Sequence, residues 1–167
     1  MLSAELSRLD LADAEYISGV ETIRAIARPE LSVGEFPDLS KARFYEISIY
    51  RIRVGRDQQF EEGAKAFAAA TKRVAPKTSY RVYEVLAGMP EPTFLVFSSV
   101  ERYGEFDQKL LDGLETFKQA SPEEMAVFQK FGEVAERIEH NHFRLDPVQS
   151  YVPKETREKD PEFWMPK

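Results

Sequence analysis

The chain has 167 residues, 43% hydrophobic and 31% charged, with a formal net charge of -6. That is enough for one full globular domain and part of another. The acidic balance disfavours a nucleic-acid surface, which needs clustered Lys and Arg. The absence of cysteine removes disulfides, thiolate metal sites and thiol nucleophiles.

The longest apolar runs are far too short to cross a bilayer, and no signal peptide is visible at Met1. The expectation is a soluble chain, cytoplasmic by default and exported if the native N-terminus carries a signal missing here. The 12 Phe and 7 Tyr supply ample bulk for a core.

Residues Ser3 to Ile17 read as a helix, with Leu2, Leu6, Leu9 and Ile17 at helical spacing. Glu21 to Ala27 is strand-like and stops before Pro29. Ser32 to Lys41 has Gly, Pro and Asp and no period, so it reads as a linker. RFYEISIYRIRV, Arg43 to Val54, is a strand rich in β-branched and aromatic residues. Gly55 turns the chain, and Asp57 is placed to cap a helix whose inward stripe is Phe60, Ala64, Phe67, Thr71 and Val74. Ser79–Ala87 and Thr93–Val100 are strands joined through GMPEP, a hairpin turn. A helix with the stripe Tyr103, Phe106, Leu110, Leu114 and Phe117 follows. Ser121-Pro122-Glu123-Glu124 is a capping box opening another, lined by Phe128, Phe131, Val134 and Ile138. IEHNHFRLD is the last strand, and a Pro-rich charged tail carries Trp164.

From Arg43 onward the order is strand, helix, strand, strand, helix, strand, an α+β pattern of ferredoxin-like βαββαβ type with an antiparallel sheet. Helices are expected on one sheet face. Phe44, Tyr50, Ile52, Tyr80, Val82, Phe94 and Val96 are assigned to the other, which calls for a second copy of the sheet. A homodimer is therefore expected.

Ala14-Glu15-Tyr16-Ile17 matches Ala135-Glu136-Arg137-Ile138, each followed by a strand-like stretch and then a Pro-x-x-Ser. Residues 1–33 are thus read as the closing helix and strand of a preceding similar domain. The expected organisation is that remnant, a linker over 34–41, the ferredoxin-like domain over 42–152 and an extended tail over 153–167.

The junction VGRDQQF, Val54 to Phe60, where a strand passes through glycine into a helix, resembles that of the dimeric α/β-barrel superfamily. Its antibiotic-biosynthesis monooxygenase-like and NIPSNAP-like members are similar over Ala42 to about Val152. The whole chain is most similar in pattern to uncharacterised bacterial proteins with two such domains in tandem. The resemblance implies a dimeric α/β barrel. It implies no single chemistry, because the superfamily includes cofactor-free oxygenases, haem-degrading enzymes, isomerases and proteins without known activity.

His140, His142, Arg144 and Asp146 share one face of the last strand, which in this order lies beside Glu46, Ser48 and Tyr50. His142, Glu46, Glu84 and Tyr50 are the candidates for catalysis, and Arg144 and His140 for ligand binding. The bland reading of the histidines is an alternating solvated face near a sheet edge. For Glu46 and Glu84 it is ion pairing with Arg144 or Arg81. Phosphate loop, dinucleotide fingerprint and serine elbow are all missing, and no cofactor or metal is expected. The chain reads as an oligomer-forming module without an evident catalytic set. The alternative is a small-molecule enzyme of the cofactor-free monooxygenase type, with a pocket beside the sheet.

Overall fold

The computed structural model describes the backbone of residues 2–166 and the side chains from Ala4 onward; Leu2, counted in the first helix's stripe, falls outside the described side chains. In chain order the elements are α1 (Leu2–Ala14), β1 (Arg24–Ala27), a 3-10 turn (Pro29–Leu31), β2 (Phe44–Ile52), α2 (Asp57–Val74), β3 (Arg81–Ala87), β4 (Thr93–Val100), α3 (Glu105–Lys118), α4 (Pro122–Val134), β5 (Ala135–Arg144), α5 (Lys154–Lys159) and α6 (Pro161–Trp164). The five strands form one antiparallel sheet in the order β1-β3-β4-β2-β5. From β2 onward this is consistent with a ferredoxin-like arrangement. Within one chain the sheet stays open rather than closing into a barrel.

Local chemistry explains the element ends. Ser121 caps α4 as read: its Oγ accepts from the Glu124 amide, and the Glu124 carboxylate accepts from the Ser121 amide. Asp57 is not the cap of α2 but its first residue, where its charge favours the helix N-terminus. Helix α4 stops at Val134, so Ile138 belongs to β5 and is half-exposed.

The sheet is packed the opposite way round from the sequence assignment. Ile52, Val82 and Phe94 form the buried core with Leu31, Phe60 and Val134, and Tyr50, Tyr80, Val96 and Phe131 pack against it. Helices therefore cover the face that was expected to be free. The face away from the helices carries Tyr45, Ile47 and Ile49 of β2, Tyr83 of β3, and Leu95 and Phe97 of β4; Leu95 is buried there, and the others are partly buried. Tyr83 and Phe97 meet edge to face at 5.3 Å. β2, α2 and β3 make a crossover between strands that run the same way on either side of β4, and Phe60 of α2 with Phe131 and Val134 of α4 packs on the side of Ile52, Val82 and Phe94. Both sides of β2 and β4 are apolar enough to be buried, so alternation alone does not choose between them.

The ends behave differently from each other. β1 adds an edge strand to β3, and Gly88 lets the Thr22 backbone approach, since a Cβ there would collide with its carbonyl. Leu31 and Val33 are fully buried, yet Leu6, Leu9 and Ile17 stay exposed, so α1 is not docked on its own chain. The tail is anchored: Trp164 is buried and donates its indole N–H to the Ser40 carbonyl at 2.7 Å. Arg43 pairs with Asp160 and lies over the Phe163 ring at 3.7 Å.

Candidate functional site

A cavity of about 250 Å³ lies between the sheet and helices α2, α3 and α4. Its apolar wall is built by two periodicities. Alternation along the strands aims Tyr50, Tyr80, Val82 and Val96 inward, and the helical stripe of α2 contributes Phe60, Ala64, Phe67 and Thr71. Phe131 of α4 stacks on Phe60 at 5.0 Å, and Phe60 stacks on Phe94 at 4.3 Å. Gly63 makes this closeness of α2 and α4 attainable, because a Cβ on it would sit 2.5 Å from Phe131 Cβ.

The polar part of the lining comes from Glu46, Ser48, Ser98, Lys109, Asp112 and His140. The register pairs Glu46 with His142 and Ser48 with His140 across β2 and β5, as the strand order required. His140 Nδ1 lies 3.0 Å from Glu46 Oε1 and 2.8 Å from Ser48 Oγ, and Ser48 Oγ donates to the same carboxylate oxygen at 2.9 Å. With the carboxylate accepting from Nδ1–H, the lone pair of His140 is on Nε2, the state of a general base. His142 Nε2 stands 3.9 Å from Glu46 Oε2, its ring stacks on Phe106 at 4.4 Å, and its Nδ1 meets the Tyr103 hydroxyl at 3.1 Å. Burial, then the charge of Glu46, pushes the Tyr50 phenol up. Burial, then Tyr50, pushes Tyr80 up as well. Both therefore stay protonated and offer hydroxyl groups rather than phenolates. Thr71 Oγ1 is buried in this lining with no hydrogen-bond partner from the protein.

The sequence candidates thus separate. Glu46, Tyr50 and His140 come together on the cavity. His142 touches Glu46 from outside the lining. Glu84 sits elsewhere, in an ion cluster where Arg28 reaches Glu84 at 2.5 Å, Glu30 at 2.6 Å and Glu61 at 2.7 Å. It pairs with Arg28, not the expected Arg81, which instead donates to the Val33 and Gly34 carbonyls. Glu46 likewise pairs with histidine rather than Arg144, which lies with Arg43 and Phe163 around a separate depression beside the tail. Among the described residues no group of three His, Asp or Glu side chains is arranged to hold a metal ion.

Lys109, Asp112 and Thr71 were not singled out for chemistry. The signal for the first two was present: Glu105, Lys109, Asp112 and Thr116 recur at helical spacing and form a polar stripe on α3. That stripe faces inward. Thr116 is fully buried, whereas Leu110 is 65% and Leu114 49% exposed.

The chain matches no protein-family model and no curated protein sequence. Two solved structures are similar to it. A conserved protein from Methanosarcina mazei Go1 is 17% identical, with 64% of this chain and 96% of that one covered and a TM-score of 0.45. An anthrone oxidase-like protein is 11% identical, with 68% of this chain and 47% of that one covered and a TM-score of 0.41; the chain spans about half of its length. No helix among the described residues is long and apolar enough to cross a membrane.

Proposed function

We propose that the chain binds a small, largely apolar, ring-bearing molecule in the cavity between sheet and helices, and that the Glu46–His140 pair moves a proton on it. The observation that carries this reading is the convergence of Glu46, Ser48 and His140 on an aromatic-walled cavity. The bound ring lies among Phe60, Phe67 and Phe131. His140 Nε2 takes the proton, and the Glu46 carboxylate stabilises the imidazolium that forms. Proton loss leaves an electron-rich carbanion or phenolate, the species that oxygenation without a cofactor requires, so the cofactor-free monooxygenase type is the finer form of this proposal.

Gly113 provides the test. It lines the cavity, and a Cβ on it meets no atom within 4 Å, so Gly113→Leu adds bulk at the cavity wall from a position with open space around it. Titration calorimetry with 2-naphthamide, a neutral bicyclic probe, should show saturable one-to-one binding that Gly113→Leu abolishes with no loss of thermal stability. Deuterium exchange into the activated C–H of 2-tetralone, followed by NMR, should fall roughly 100-fold or more in Glu46→Gln and His140→Asn. Absence of saturable binding to the unaltered chain sinks the proposal.

A second reading concerns assembly. The sheet face away from the helices bears Tyr45, Ile47, Ile49 and Phe97, all partly exposed in the single chain, and a second copy of the chain would bury them further. Phe36 and Leu39 share a cavity of about 150 Å³ on that face, so the 34–41 stretch would sit at the rim of such a contact. The edge position of β1 beside β3, mirroring β5 beside β2, supports the view of residues 1–33 as the end of a preceding repeat. A monodisperse monomer by light scattering at micromolar concentration counts against the homodimer.

A further inference from the structure

Proton transfer by Glu46 and His140 leaves Lys109 without a task in the same cavity. Its Nζ donates to the Ser79 carbonyl at 3.2 Å, and among the described residues it joins no ion pair. The carboxylates whose charge reaches it are engaged elsewhere: Glu46 with Ser48 and His140, Asp112 with Thr78 and Gln108, Glu105 with Arg102. Burial outweighs those charges and pulls the amine below its ordinary range. A neutral amine has two N–H groups and one lone pair; an ammonium has three N–H groups and no lone pair. A lowered pKa enlarges the uncharged fraction of the amine at any given pH, and its one hydrogen-bond acceptor is the Ser79 carbonyl. An uncharged lysine amine in an apolar pocket is a nucleophile toward carbonyl carbon.

We propose that Lys109 Nζ forms an imine with an aldehyde or ketone held in the cavity, which makes the ligand an apolar, ring-bearing carbonyl compound. The proposal rests on the ligand-binding reading of the cavity. The amine lone pair attacks the carbonyl carbon, a C–N bond forms, and the C=O π electrons move to oxygen. A proton passes from nitrogen to that oxygen. Water then leaves as the C=N bond forms, and hydrolysis reverses the sequence with no oxidant or reductant. The protonated imine draws electrons from the adjacent carbon and acidifies its C–H. The Glu46–His140 pair faces the same cavity and supplies the base for that proton.

Reductive trapping tests this. The protein is incubated with 2-naphthaldehyde and cyanoborohydride, which reduces an imine to a stable secondary amine, and the adduct is located by peptide mass spectrometry. One adduct per chain on Lys109 is expected, formed at least about tenfold faster than on exposed lysines such as Lys65. Its rate should rise with pH around a midpoint below the 10.5 of an ordinary lysine, because only the neutral amine attacks. Lys109→Met should lose the adduct, with no compensating label on another lysine. Normal 2-naphthamide binding with no adduct, or with label spread evenly over exposed lysines, overturns the imine and leaves the cavity reading intact. Failure of both probes to bind overturns both.

Discussion

Helices α2 and α3 lie on the same side of the sheet and were read by the same apolar spacing, yet they face opposite ways. α2 turns its stripe inward: Phe60 is 2% and Ala68 1% exposed, and Phe67 meets both Phe117 and Phe128. α3 turns Leu110, Leu111 and Leu114 outward and presents Lys109, Asp112 and Thr116 to the interior. Apolar periodicity thus identifies a helix, and a competing polar stripe can still win the inside. Had α3 packed its leucines inward, the space now lined by Glu46, Lys109 and His140 would have been filled. The cavity exists because one helix seals the core and its neighbour does not.

The largest test of this contrast is at Phe60, stacked between Phe94 and Phe131. Phe60→Ala should cost about 3–5 kcal/mol in urea unfolding, the range for buried Phe truncation. A loss under about 1 kcal/mol would mean that α2 does not seal the core.

Gly63→Ala comes next. An Ala there gains about 1 kcal/mol of helix propensity, but its Cβ must push Phe131 away. A net loss of about 1–3 kcal/mol is expected from overpacking, and a gain in melting temperature would show α2 and α4 to be less closely packed.

An acid titration distinguishes the tethers of the two helices. α2 is tied to the sheet edge by charge, through Arg28 and Glu61, whereas α3 is tied by the Thr78 hydroxyl on Asp112. The Arg28 guanidinium beside Glu61 holds its carboxyl below the ordinary 4.5. A lowered folded-state pKa contributes stability that is complete above the unfolded value and is lost as pH falls through the folded one. Thermal unfolding should therefore show Arg28→Gln less stable than the unaltered chain near neutral pH, with the gap closing as pH drops below about 4.5. A gap that stays constant into acid would mean that Arg28 acts by packing alone.

The smallest effect is expected on the outer side of α3. Leu110→Ala should change the stability of the single chain by no more than about 0.5 kcal/mol, as for an exposed surface position. A larger loss that deepens with protein concentration would show that a second copy covers α3.

Much of the fold was legible from the sequence. The alternating pattern of Arg43–Val54, the hairpin at GMPEP and the capping box at Ser121 are local signals, and each depends on residues within a few positions of one another. The pairing of Glu46 with the histidine strand was legible too, since the order of elements places the last strand beside the first. What the chain alone left open was orientation. Phe44, Tyr50 and Val82 were assigned to the free face because β2 and β4 are apolar on both sides, and only the packing of α2 and α4 against one of them chose between the two. Glu84 and Arg144 were drawn toward a common site by chemistry, but β3 delivers the first to Arg28 and the end of β5 places the second by the tail. Lys109 became a site residue through the rotation of α3 about its own axis. Sequence spacing determines which residues share a face; the packing of whole elements determines what that face meets, because burial is settled by the sum of contacts over the fold and not by any one stripe.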